Sequence, residues 1–200
     1  MNVLFICTGN TCRSPMAEGL LKSKMPKLNV KSAGTTAMNH SPASNHTIQA
    51  LSEKGIDMHH YSQSVSEELI EWADIVLTMT TSHKQLLIIQ FPEQQDKYFT
   101  LKEYVSEADK EIWKQIQKAY ADLEEKRALF IHNHQDMMNN FQLHQSVSKE
   151  FQKEINEIQR LESKLINYDI SDPFGGGLEL YRNTMKEIED CIDLFVQKHT

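Results

Sequence analysis

Three cysteines, five prolines and seven glycines are few for a chain of 200 residues, and where they fall excludes several classes of protein. The cysteines are Cys7, Cys12 and Cys191. An odd, small number of thiols does not make a disulfide framework, so they read as free and in part reactive. No glycine stands between Gly55 and Gly175, and no proline between Pro92 and Pro173, so the middle of the chain lacks the residues that punctuate turns. Long apolar runs are missing too: none approaches the ~18 residues that cross a bilayer. The run at residues 3–6, Val-Leu-Phe-Ile, is too short for a signal-peptide core and has no basic flank, which leads us to expect a cytoplasmic protein. Nor is there an excess of positive charge. A formal net charge of -7 argues against nucleic acid or an anionic membrane surface as partner, because phosphates attract basic faces. Nine histidines are present without metal-ligand spacing. His132 and His134 lie two apart, which does not share a helix face, and the neighbouring His59 and His60 do no better. We expect no metal and no cofactor.

What is there is an alternation of short apolar runs and helical patterns over residues 1–104. "NVLFI" reads as a buried strand, and residues 14–25 as a helix with Pro15 in its first turn, where a missing N–H costs nothing. "LNVKSAG" is the second strand, and residues 42–54 form a helix stopped by Gly55. "ADIVLTM" has the continuous apolar character of a central parallel strand covered on both faces. Residues 82–90 are helical up to Pro92, and "KYFTL" closes the series as a last strand. After "SDPFGGG" a final helix repeats Tyr181, Met185, Ile188, Ile192 and Phe195 on one face, with Cys191 packed beside it. Strands alternating with helices imply an α/β fold with a parallel sheet.

Residues 106–168 differ. They are rich in Glu, Lys, Gln and Asn, with apolar residues in two helical stripes. One holds Ile112, Ile116, Ala119, Leu123 and Phe130; the other holds Val147, Phe151, Ile155, Ile158 and Leu165. Between them lies the polar stretch "HNHQDMMNN". We read an inserted α-helical hairpin with a coiled-coil-like seam. A solvated linker is the alternative, although ~60 structureless residues are unusual inside a compact domain.

The chemistry concentrates in "CTGNTCRSP", residues 7–15, directly after the first strand. A loop at the carboxyl end of a parallel strand, opening a helix, turns backbone N–H groups and positive helix potential toward a ligand; it is an anion site. The Gly-x4-Gly-Lys-Ser/Thr pattern of nucleotide loops is absent. Thr8, Gly9, Asn10 and Thr11 are small or polar, and Gly9 and Asn10 suit the backbone angles of a tight loop. Cys7 leads the loop and Arg13 closes it. The N–H groups, the helix end and Arg13 would stabilise a thiolate at Cys7, a nucleophile aimed at phosphorus. Arg13 can hold two equatorial oxygens with its planar fork. Ser14 can hydrogen-bond the sulfur and help it leave. Cys12, five residues after Cys7, is either a packing residue beneath the loop or a redox partner that captures oxidised Cys7 as a reversible disulfide.

The segment "CTGNTCRSPMAE" resembles the active-site loop of low-molecular-weight protein tyrosine phosphatases, and the resemblance extends to "KSAG", "ADIVLTM", "LKEYV" and "DPFGG". It covers residues 1–105 and 169–200 and leaves 106–168 as the insert. It implies a four-stranded parallel sheet flanked by helices, and a two-step mechanism through a cysteinyl-phosphate. It also implies a general acid at Asp172; read from the residues alone, "SDPFGGG" is only a turn-rich loop. Thr11 stands where the tyrosine phosphatases usually carry a bulky aliphatic residue. With "DPFGG" it resembles the protein arginine phosphatase branch. There a small polar residue leaves room beside phosphorus and can bind the water of the second step, while Asp172 can bind and protonate a guanidinium.

The resemblance thus implies catalytic residues Cys7, Arg13 and Asp172. Thr8, Gly9, Asn10, Thr11, Cys12 and Ser14 would bind substrate, and phosphorylated proteins would be the partners. A tyrosine phosphatase and a non-catalytic phosphoprotein adaptor acting through the insert are the alternatives. Arsenate reduction is disfavoured, because only distant Cys191 is left to relay a disulfide. Many relatives wall the substrate with an aromatic residue in the loop after the second strand. "SAGTTAMNHSPAS" has none, so Thr36, Met38 or His40 is expected to line that side. The insert is expected to sit at the rim, where it would dock a partner, gate access or self-associate.

Overall fold

The computed structural model describes residues 1–106, 110–134, 150–165 and 167–200. Two compact units divide the chain: residues 1–106 with 168–200, and residues 107–167. The first is a four-stranded sheet of β1 (Asn2–Cys7), β2 (Asn29–Gly34), β3 (Ile75–Thr78) and β4 (Tyr98–Thr100). The order is β2-β1-β3-β4, with every neighbouring pair parallel. The expected sheet is therefore present, with β1 central.

Strand periodicity explains how β1 serves both faces. Val3, Phe5 and Cys7 point into one apolar cluster, Leu4 and Ile6 into the other. The first cluster is covered by α1 (Arg13–Lys24) and α8 (Leu178–His199), which supply Met16, Leu20, Met185, Ile192 and Phe195. The second is covered by Ile70 of α3 (Glu67–Trp72) and Leu87 of α4 (Thr81–Gln90). Phe5 and Phe195 are fully buried, and burying a side chain of that size is worth about 1.5–3 kcal/mol.

Several boundaries shift from the expected ones. The helix expected from residue 42 is α2 (Asn45–Glu53): Ser44 caps it by accepting the Thr47 N–H, and Pro42 instead pairs with Tyr61 in an isolated bridge. Gly55 follows it at φ 72°, the left-handed position that suits glycine. Helix α3 has no counterpart in the sequence reading. It is six residues long with Ile70 its only buried side chain, too short for periodicity, although Ser66 and the acidic Glu67–Glu68 turn mark its start. The strand expected over "KYFTL" is cut to three residues because Thr100 and Glu103 form a capping box that starts α5 (Leu101–Val105).

The second unit is a helix pair, α6 (Lys110–His134) and α7 (Gln152–Glu162), packed against each other. Leu123, Phe151 and Ile158 form its buried cluster, with Ala119, Phe130 and Ile155 against them. The polar break expected from His132 begins no earlier than the end of α6: residues 132–134 are helical, and His134 stacks on Phe130 at 4.2 Å. Leu165 falls beyond the end of α7. Val147 and the expected turn lie outside the described residues.

Candidate active site

The loop from Cys7 to Arg13 is held from below and from both sides. Asn10 sits at φ 55°, a left-handed angle that asparagine tolerates. Its buried amide donates to Ser14 Oγ at 2.9 Å and Ser32 Oγ at 2.8 Å, and its carbonyl oxygen accepts the Gln63 N–H at 2.9 Å. Gly9, expected to share that conformational duty, has no positive φ. The glycine the loop needs is Gly34 on β2, where a Cβ would meet the Thr8 carbonyl oxygen at 2.4 Å. That close approach lets Thr35 N–H bond the Cys7 carbonyl at 2.9 Å and Thr36 N–H bond the Thr8 carbonyl at 3.0 Å. On the other side, the Thr11 carbonyl accepts from Ser44 N–H and Thr47 Oγ1 at 2.9 and 3.1 Å.

Cys7 Sγ is buried at the end of β1. It accepts the Asn10 N–H at 3.3 Å and lies 3.0 Å from Ser14 Oγ. Ser14 Oγ accepts from Asn10, and its proton has two acceptors in reach, the Cys7 sulfur at 3.0 Å and the Ala33 carbonyl at 3.4 Å. The N-terminus of α1 has neither a side-chain cap nor an acid in its first turn, so its positive potential is left for a ligand. Arg13 is buried; its guanidinium bonds the Ile170 carbonyl at 3.3 Å and Asp172 Oδ2 at 2.8 Å. Asp172 is half exposed and accepts the Phe174 N–H at 3.2 Å. Its loop is anchored just past β3 by Ile170 N–H on the Met79 carbonyl at 2.8 Å, and to α8 by Ser171 on Glu187 and Thr184.

These residues surround a pocket of about 300 Å³ lined by Cys7, Thr8, Gly9, Thr11, Cys12 and Arg13 from the loop, with Thr36, Asp172 and Phe174. Asn10 and Ser14 are not at its surface and act from beneath. Of the three side chains expected on the β2 side, Thr36 lines the pocket. Met38 does not, being 79% exposed, and neither does His40, which takes a left-handed turn position at φ 67°. The aromatic wall comes from Phe174, also 79% exposed, on the Asp172 loop. Cys12 is buried, its sulfur 3.4 Å from Tyr181 OH and 3.7 Å from Ser44 Oγ. All three cysteines are free thiols, and burial pushes the Cys191 thiol up to about 11, as expected for a packing residue.

Sequence reasoning missed His83. Its Nε2 lies 2.8 Å from Thr8 Oγ1 and its Nδ1 2.9 Å from Thr80 Oγ1. Burial, followed by the charge of Arg13, pushes its imidazole down to about 4. The available signal was "TTSH" directly after β3: a capping threonine at Thr80 and a histidine in the first turn of α4, at the carboxyl edge of the sheet.

The family model that matches residues 2–153 is described as low molecular weight phosphotyrosine protein phosphatase. A protein-arginine-phosphatase of Geobacillus stearothermophilus is 36% identical over 197 residues, covering 98% of this chain and 94% of the relative. One from Bacillus subtilis is 51% identical over 110 residues, 53% of this chain and 73% of the relative. Among solved structures, a mutant arginine phosphatase with a phosphorylated serine in place of its active-site cysteine superposes with a TM-score of 0.68 at 32% identity. It covers 99% of this chain and 95% of that chain.

Proposed function

This chain belongs to the low-molecular-weight phosphotyrosine protein phosphatase family, and from that premise we propose that it removes phosphate from phosphoarginine in proteins. The observation that carries the reading is the gathering of Cys7, Arg13 and Asp172 on one pocket, with the Ser14 hydroxyl 3.0 Å behind the Cys7 sulfur. The names of the two arginine phosphatases similar to it support the choice of substrate.

In the first step the Cys7 sulfur attacks phosphorus. The S–P bond forms as the P–N bond to the guanidinium breaks, and the Asp172 carboxyl gives its proton to the leaving nitrogen. Arg13 and the N–H groups at the start of α1 hold the equatorial oxygens while charge spreads over them. In the second step Asp172 takes a proton from water, the oxygen attacks phosphorus, and the S–P bond breaks with its electron pair returning to sulfur. The Ser14 hydroxyl stabilises that departing sulfur. Arg13 bonds Asp172 at 2.8 Å, and a phosphoryl group bound to the same guanidinium would share its N–H groups and leave the carboxyl to the leaving group. Thr11 leaves space beside phosphorus, and the exposed ring of Phe174 offers a face on which a planar guanidinium stacks.

The test is phosphate release from phosphoarginine and phosphotyrosine peptides, for the parent, Thr11→Ile and Cys7→Ser. We expect preference for phosphoarginine, reversal or loss of that preference in Thr11→Ile, and loss of turnover on the order of 10⁴-fold or more in Cys7→Ser. Preference for phosphotyrosine would leave the two-step chemistry and remove the arginine assignment. No turnover with phosphate still bound would favour an adaptor. We place the reaction in the cytoplasm, where Cys7 stays reduced. There peroxide would convert the Cys7 thiolate to a sulfenic acid, and Cys12 would condense with it to a disulfide, releasing water. Cys12→Ser losing peroxide-treated activity beyond recovery by thiol, where the parent recovers, is the expected result.

A further inference from the structure

A polar chain that the phosphoryl-transfer steps do not use runs into the pocket from the end of β3: Thr80, His83, Thr8. We propose that His83 is a positioning residue that turns the Thr8 hydroxyl into a hydrogen-bond donor to the phosphoryl oxygens. The inference rests on the phosphatase reading above and adds to it a contact beyond the loop amides and Arg13.

Thr80 Oγ1 caps α4 by accepting the His83 backbone N–H at 3.2 Å. The same oxygen lies 2.9 Å from His83 Nδ1. If Nδ1 carried the ring proton, Thr80 Oγ1 would accept twice, and its own proton would have no acceptor among the described residues. Thr8 would then donate into Nε2 and present only lone pairs to an anion. If Nε2 carries the proton, Thr80 donates to Nδ1 and Nε2–H donates to Thr8 Oγ1 at 2.8 Å. Every group is then satisfied, and Thr8 keeps its own proton. Thr8 is exposed, Thr80 is partly buried and His83 is buried; the Nε2–H arrangement pairs the protons of Thr80 and His83 within the protein, so the hydroxyl of Thr8, which lines the pocket beside Cys7 and Arg13, faces the ligand as a donor. His83 is only 6% exposed, and its depressed basicity keeps it neutral near pH 7, as this tautomer requires.

Two measurements test this. Nitrogen NMR of the histidine rings in the intact parent needs no variant. The expected spectrum has His83 protonated at Nε2 with Nδ1 as acceptor; protonation at Nδ1 overturns the proposal. The second is inhibition by inorganic phosphate together with kcat and KM on a phosphopeptide. Thr8→Val is expected to weaken phosphate inhibition about tenfold, the scale of one hydrogen bond to a charged group. His83→Phe should lose about as much, and His83→Gln, with an amide N–H near the ε position, should recover most of it. Thr8→Val with His83→Phe should be no worse than Thr8→Val, since His83 acts through Thr8. If His83→Phe costs as much without the Thr8 hydroxyl as with it, or if Thr8→Val leaves phosphate inhibition unchanged, the proposal is wrong. A parent that releases no phosphate from any phosphopeptide removes the phosphatase reading itself, a separate failure from either of these.

Discussion

The phosphate-binding loop and the helix pair of residues 107–167 are built on opposite plans. The loop is over-determined. Gly34 admits the Thr8 carbonyl, the Asn10 side chain bonds three neighbours, and the start of α2 ties down Thr11, so seven residues are held by groups from β2, α2 and the segment after it. Among the described residues, the helix pair buries Ile116, Leu123, Phe151, Ile158 and Leu161, and its surface carries links such as the Lys126–Glu154 ion pair and the Tyr120–Glu162 hydrogen bond. The difference teaches where precision is required. A site that must hold donors within a few tenths of an ångström of a transition state is fastened by buried hydrogen bonds. A helix pair without such a demand needs only a seam.

The contrast can be broken, or sharpened, at four points. The largest effect belongs at the loop's rim: Asp172→Asn keeps the Arg13 contact but has no proton to give, and kcat should fall by about 10²–10⁴. A fall of less than tenfold would remove Asp172 as the acid. Next come the two cores. Phe195→Ala in the sheet unit should cost about 3–5 kcal/mol of global stability, measured by denaturant unfolding. Leu123→Ala should instead raise hydrogen exchange in α6 and α7 while phosphatase activity persists. Equal losses of activity and global stability in both variants would show that the two units unfold as one.

The third point is pH. His83 is buried neutral with its folded value pushed down to about 4, below the 6.5 of an ordinary histidine. Between those values the unfolded chain binds more protons, so this group makes stability rise with pH across that window. The contribution is complete above about pH 6.5 and lost as pH falls toward 4, with a full size of about 3 kcal/mol. His83→Phe should flatten that part of the stability–pH curve. Smallest of all, Glu154→Gln removes an exposed ion pair of the helix pair and should leave the melting temperature unchanged.

How much of this could be read beforehand depended on the range of the interactions. The β1 strand, the loop and α1 were legible because local rules agree there: an apolar run, then small polar residues, then a helix with proline in its first turn. Helix α3 was not legible, since one buried isoleucine in six residues carries no period. The wall of the pocket was legible in part for a similar reason. Thr36, one of the three residues expected on the β2 side, does line it, whereas the aromatic Phe174 arrives from a segment more than 130 residues later in the chain.

By itself, then, the order of residues determined the alternation of strands and helices and the small, polar loop that Cys7 leads and Arg13 closes. Each of those depends on neighbours a few positions apart. The tertiary structure alone decided that Asp172 meets Arg13, that Gly34 makes room for Thr8, and that His83 stands behind the Thr8 hydroxyl. Those pairs lie 159, 26 and 75 positions apart, and only the packing of a parallel sheet and its helices brings such distant groups within hydrogen-bonding reach.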